Sequence, residues 1–160
     1  MSVDIENSCF FTGHRIIPQA DREHIKTRLR LECIKLIENY GVTHFIAGGA
    51  LGFDTLAELM ILDLKATYPQ IKLSLYLPCT DQTARWSQYD KRMWLYLNKA
   101  ADDYQFVTNG TYTDGCMQLR NRAMVDDARY GIAYCTQKRG GTYSCLSYAL
   151  SKQRKVLLIK

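Results

Sequence analysis

Short, almost wholly apolar runs alternate along the chain with longer stretches in which apolar residues return every three or four positions. Runs bounded by turn-forming residues stand at 9–13 (CFFTG), 42–48 (VTHFIAG), 71–78 (IKLSLYLP), 104–108 (YQFVT), 130–135 (YGIAYC) and 155–159 (KVLLI). Their lengths and their β-branched and aromatic content predict strands. Ile25, Leu29, Leu36 and Tyr40 share one face of a helix predicted from Pro18 to Tyr40, and Leu56, Leu59, Met60 and Leu64 do the same from Phe53 to Thr67. Three more helices are predicted over Asp81–Ala101, Asp114–Arg129 and Thr142–Lys152. Strands that are apolar throughout, rather than alternating, belong in a parallel sheet covered on both faces. The alternation of strand and helix therefore predicts an α/β fold, a single three-layer αβα Rossmann-like domain over residues 1–160 with a mainly parallel sheet.

Composition narrows the setting. With 47% hydrophobic and 23% charged residues and only three prolines, the 160-residue chain has the make-up of a soluble globule. Its start, MSVDIENS, lacks the basic and apolar regions of a signal peptide, and no apolar stretch approaches the roughly 20 residues that span a bilayer. A cytoplasmic protein without a membrane partner is expected. The six cysteines show no CxxC spacing and sit mostly inside apolar runs, which favours packed, reduced thiols, with no metal site and no cofactor expected. The net charge of +5 favours an anionic partner such as a nucleotide.

In open parallel sheets ligands settle beyond the carboxyl ends of the strands, which singles out residues 12–15, 48–54, 78–86, 108–112 and 136–142. In TGHR, Gly13 allows close backbone approach, and His14 and Arg15 offer donors, the arginine fork suiting phosphate. The same tetrapeptide also reads as a plain loop with two solvated side chains. In GGALGFDTLAE, Gly48, Gly49 and Gly52 open a turn into a helix whose first N–H groups lack intrahelical partners. The glycine spacing is not the GxGxxG of a dinucleotide fingerprint. Asp54 and Glu58, four positions apart, share a helix face. Either they cap the helix and suit its dipole, or they accept hydrogen bonds from ribose hydroxyls. RGGTYS offers a second cradle in Gly140, Gly141 and Thr142, with Ser144 as an extra donor.

Between these segments, Met117, Arg120, Asn121, Met124 and Ala128 form one helical stripe, so Arg120 and Asn121 face inward. Arg122 lies about 200° around from Arg120, grouped with the solvated Gln118 and Arg129. A buried Arg120 needs a partner, either a protein carboxylate or a ligand phosphate. Gln82, Trp86 and Tyr89 stand where they can border a base, although aromatics at helical spacing equally make core. Cys116 as a thiol nucleophile with His14 as its base requires the two to meet in the fold.

Together TGHR, GGALGFDTLAE, LPCTDQTARW, CMQLRNRAMVDDA and GGTYSCLSYAL resemble, in order and over nearly the whole chain, the YpsA-type branch of the SLOG superfamily, the group that includes the Smf/DprA and LOG proteins. The resemblance implies a Rossmann-like fold, a nucleotide or nucleotide-derived ligand (ADP-ribose-like or cyclic) that is sensed or sequestered, and a homo-oligomer. LOG enzymes hydrolyse the N-glycosidic bond of nucleoside monophosphates, and their M-x-x-R-K-x-x-M segment matches Met117, Arg120, Asn121 and Met124. Their catalytic glutamate falls on Ser147, which cannot activate water as a carboxylate does. An enzyme of that kind would need Arg120 together with Asp54 or Glu58. DprA relatives bind single-stranded DNA, which makes a nucleic-acid binder the further alternative.

Overall fold

In the computed structural model, which describes residues 3–160, six parallel strands make one sheet. These are β1 (Ser8–Gly13), β2 (His44–Ala47), β3 (Lys72–Leu77), β4 (Asp103–Phe106), β5 (Tyr130–Tyr134) and β6 (Lys155–Leu158), in the order β4-β3-β2-β1-β5-β6. The connections carry α1 (Arg22–Tyr40), α2 (Phe53–Leu64), α3 (Gln88–Ala100), α4 (Cys116–Asp126) and α5 (Gly140–Ser151).

Successive β1 side chains enter opposite layers. Cys9 and Phe11 pack in the core that holds Ile25 and Leu29 of α1 and Phe53 and Ile61 of α2, while Phe10 packs with Met124 and Val125 of α4 and Cys145 and Ala149 of α5. Both faces are thus covered, and this is why the strand runs show no alternation. Each wholly buried phenylalanine contributes about 1.5–3 kcal/mol relative to exposure. The cysteines are free and, except for Cys135, buried. Burial pushes the Cys79 and Cys145 thiols up to about 11, so they pack as neutral groups.

The chain lays β2, β3 and β4 outward from one side of β1 and then returns to place β5 on the other, so the strand order reverses between β1 and β5. At such a switch point the two strand-to-helix loops diverge and leave a crevice. Across it, the Thr136 N–H donates to His14 Nε2 at 2.8 Å.

All five helices differ at an end from their sequence-based extents, α3 and α4 the most. The stretch predicted as helix from Asp81 is a series of turns up to Ser87, whose Oγ caps α3 by accepting the Asp90 N–H at 3.1 Å. Distant partners hold those turns: Asp81 Oδ1 accepts the Tyr112 N–H at 2.8 Å, and the Gln82 amide spans the Gly48 carbonyl (3.3 Å) and Trp94 Nε1 (3.2 Å). The helix predicted over Asp114–Arg129 is the shorter α4. It starts after Gly115, at φ 85°, and ends where Arg154 donates to the Val125 and Asp126 carbonyls at 3.0 and 3.1 Å. Among the described residues no helix is long and apolar enough to cross a membrane, and no group of three His, Cys, Asp or Glu is placed to hold a metal ion.

Candidate functional site

After β2 the backbone must double back into α2 through residues 48–52. Gly52 has φ +79°, and a Cβ on it would lie 2.6 Å from the His14 carbonyl oxygen. Only glycine lets the two loops meet there, where the Phe53 N–H donates to that same carbonyl at 3.0 Å. The next amides are taken by the two acids of α2: Gly49 N–H donates to Glu58 Oε2 (3.1 Å) and Ala50 N–H to Asp54 Oδ2 (3.3 Å). The four-residue spacing therefore clamps the glycine turn onto its own helix. Of the N–H groups at this lip, those of Gly49, Ala50 and Phe53 are satisfied within the protein and do not face the crevice free.

Asp54 and Glu58 are 5% and 1% exposed. Burial pushes both carboxyls above their ordinary range, Glu58 further because Asp54 sits beside it, while the turn amides and Arg120 pull the other way. Burial thus favours protonated forms, and the lip carries less negative charge than two free carboxylates would bring.

Arg120 reaches this lip from α4 and is 6% exposed. Its Nη1 donates to the Gly48 carbonyl and reaches the Tyr76 carbonyl at 3.5 Å, and Nε donates to Asn121 Oδ1 at 2.8 Å. Gly48 makes room for it, because a Cβ there would lie 2.7 Å from the guanidinium carbon. Among the described residues Nη2 has only Met117 Sδ, at 3.8 Å. Among the described residues no carboxylate oxygen lies within 4.0 Å of this guanidinium. Burial lowers its pKa, and the more distant Asp54 is the main group opposing that. A buried cation with an open edge and no ion pair is electrostatically incomplete.

The opposite lip follows β5. Arg139, extended and without a capping side chain, precedes Gly140 at φ 90°. The first-turn amides of α5 have no helical acceptor, and the positive end of the helix dipole lies there. His14 closes the near side, edge-on to Tyr134 with ring centroids 5.4 Å apart. Its Nε2 accepts from Thr136, and burial pushes its pKa down, so the ring is neutral at pH 7 with Nδ1 as donor.

These lips enclose a cavity of about 340 Å³. Gly13, His14, Arg15, Asp54, Gln82, Trp86, Arg120, Asn121, Gly140, Gly141 and Thr142 all line it. Gly48, Gly49 and Glu58 do not. They stand behind the wall, Gly48 against Arg120 and Gly49 bonded to Glu58. Tyr89 is 73% exposed on α3, and Cys116 is buried while His14 is engaged by Thr136, so no thiol–imidazole pair forms. Gln118 and Arg122 are exposed, whereas Arg129, past the end of α4, pairs with Glu6 at 2.6 Å. Sequence reasoning did not single out Thr12, Ala50 and Gln137 as lining residues, or Trp94, whose indole N–H fixes Gln82. The strand-end rule did mark the segments holding Thr12, Ala50 and Gln137. Nothing local marks Trp94.

Residues 17–156 match the family described as the YspA SLOG family (YpsA). The SPbeta prophage-derived protein YoqJ of Bacillus subtilis (strain 168) is 32% identical over 137 residues, covering 78% of this chain and 80% of that protein. A UPF0398 protein of Halalkalibacterium halodurans is 31% identical over 97 residues, 61% of this chain and 50% of that protein. Among solved structures, DNA processing protein A from Helicobacter pylori, studied for its single-stranded DNA binding mode, superposes with a TM-score of 0.68 at 17% identity over 97% of this chain and 66% of that one. DNA processing protein A (DprA) from Streptococcus pneumoniae gives a TM-score of 0.63 at 16% identity over 94% and 49%. This chain thus spans about two thirds of the first and half of the second. At these identities the likeness is one of fold.

Proposed function

Because the chain belongs to the YspA SLOG family, we propose that the cavity beyond β1 and β5 binds a nucleotide or nucleotide-derived signalling molecule, which the protein senses or sequesters. The observation that carries this reading is Arg120: a 6%-exposed guanidinium lining a cavity, with Nη2 against Met117 Sδ alone and no ion pair among the described residues. A phosphate supplies the missing anion, with the Asn121 amide, the α5 amides at Gly140–Thr142 and Arg15 as further donors. Asp54, the one acid in the wall, accepts from sugar hydroxyls. Trp86 with Met117 and Met124 borders the base, and Gln82 holds that wall in place. Glu58, Gly48 and Gly49 support the turn. The reading takes residues 1–160 as one cytoplasmic domain working as a homo-oligomer.

The test is calorimetry with AMP, cyclic AMP and ADP-ribose on the wild type and Arg120→Ala. A lost charge-assisted contact is worth about 1.5–3 kcal/mol, so affinity should fall roughly ten- to a hundredfold. Unchanged affinity would make the phosphate assignment wrong.

A hydrolytic variant of this reading rests on Asp54 alone, since Glu58 is turned to the backbone and Ser147 is exposed on α5. Base released from nucleoside monophosphates, and lost in Asp54→Asn, would favour it. A nucleic-acid reading is favoured by one feature, the exposed Arg15, Arg85 and Arg139, which have no ion pair among the described residues and line the cavity or the hollow beside it, together with exposed Tyr112. It requires strongly salt-dependent binding of oligonucleotides, and no binding at low salt would eliminate it.

A further inference from the structure

A second hollow, of about 540 Å³, opens on the far side of Trp86. It shares Arg15, Gln82, Trp86 and Met117 with the first cavity, so the two are adjoining chambers with a common partition. Its outer wall joins the loop after β3 to the loop after β4. Asp81 Oδ1 accepts the Tyr112 N–H at 2.8 Å, Thr80 N–H donates to the Gly110 carbonyl at 3.0 Å, and Thr108 Oγ1 donates to the Pro78 carbonyl at 2.7 Å. Three bonds between the loops make this wall a fixed part of the fold rather than a pair of free strands of chain.

The chemistry of the second chamber differs from that of the first. Arg85 is exposed into it, and Arg15 stands on the partition. Neither has a carboxylate oxygen within 4.0 Å among the described residues. Tyr112, 58% exposed, lines the same chamber as Trp86. A mononucleotide has a single phosphate, which the inner donors already satisfy. It would leave Arg85 and Tyr112, which line the second chamber and not the first, with nothing to hold.

Resting on the nucleotide reading above, we infer that the ligand is diphosphate-bridged and two-armed: its nucleoside monophosphate half fills the first cavity, its second phosphate meets Arg15 and Arg85, and its distal sugar or base lies in the second chamber against Tyr112. The second chamber is thus a subsite for the distal half of a nucleoside diphosphate derivative, and cyclic mononucleotides are the poorer fit.

AMP and ADP-ribose, titrated calorimetrically into the wild type, Arg85→Ala, Tyr112→Ala and Arg120→Ala, separate the two levels of inference. Arg85 and Tyr112 are exposed and lie outside the first cavity, so these variants keep the fold, and thermal melts check that they do. ADP-ribose should bind at least about tenfold more tightly than AMP, and Arg85→Ala should remove roughly that factor for ADP-ribose while leaving AMP unchanged. Tyr112→Ala should act in the same direction. If both variants leave ADP-ribose binding intact, or weaken AMP equally, the second subsite is refuted while the nucleotide reading stands on Arg120→Ala. If Arg120→Ala changes neither probe, or neither probe binds, the underlying reading falls and this inference falls with it.

Discussion

Gly48→Ala should displace Arg120 without replacing any residue that lines the cavity. The new Cβ would lie 2.7 Å from the guanidinium carbon and 3.0 Å from Nε. Ordinary contacts begin near 3.5 Å, so the head group must retreat by about 1 Å. The backbone adds no strain, because Gly48 is not among the positive-φ glycines. Retreat breaks the bond from Nη1 to the Gly48 carbonyl and the longer one to Tyr76. One to two hydrogen bonds from a charged donor correspond to about 2–4 kcal/mol. Urea unfolding of the wild type, Gly48→Ala, Arg120→Ala and the double variant isolates this cause. The methyl group should destabilise the wild type by about 2–4 kcal/mol but the Arg120→Ala background by less than about 0.5 kcal/mol, a coupling typical of residues in direct contact. Equal penalties in both backgrounds would show that the methyl group is felt by something other than the guanidinium. AMP affinity should fall in Gly48→Ala alongside stability.

Glu58 gives a pH signature. Its folded-state pKa is raised well above 4.5 by burial, so between the unfolded and folded values unfolding releases a proton and stability falls as pH rises. Glu58→Gln keeps an oxygen for the Gly49 amide but cannot ionise. Its stability relative to the wild type should therefore increase from pH 5 to pH 8 in urea unfolding, and a pH-independent difference would contradict the assignment. His14 works in the opposite direction. Its folded pKa is lowered from 6.5, so the stability it contributes is complete above that value and is lost as pH falls and the unfolded chain takes up its proton first. In an NMR titration the His14 ring should turn over below pH 6.5 and the Thr136 amide should shift with it, whereas an unresponsive Thr136 amide would show that their bond does not form in solution.

The strands were legible because each core run is apolar on both faces, a pattern that owes nothing to distant partners. β2 is shorter than its run because the Val42 N–H closes the end of α1 on the Leu36 carbonyl and the Thr43 N–H goes to the Asn7 carbonyl. Arg120 was legible from the three- and four-residue stripe it shares with Met117 and Met124. Residues 81–86 were not, since side-chain bonds to Tyr112, Gly48 and Trp94 hold their turns, and periodicity carries no trace of such partners. The destination of Glu58 was hidden for a related reason. Helical spacing puts Asp54 and Glu58 on one face, but only the path of the glycine turn decides that Asp54, in the first turn of α2, meets the cavity while Glu58, one turn deeper, meets backbone.

A ¹H–¹⁵N titration of the labelled protein with AMP reads the whole cavity at once. The amides of His14, Arg15, Ala50, Asn121, Gly141 and Thr142 should shift together and fit one dissociation constant, while those of His44 and Lys72, at the opposite ends of the strands, stay still. An unchanged spectrum, or shifts confined to the His44 and Lys72 end of the sheet, would contradict an anionic nucleotide seated against Arg120.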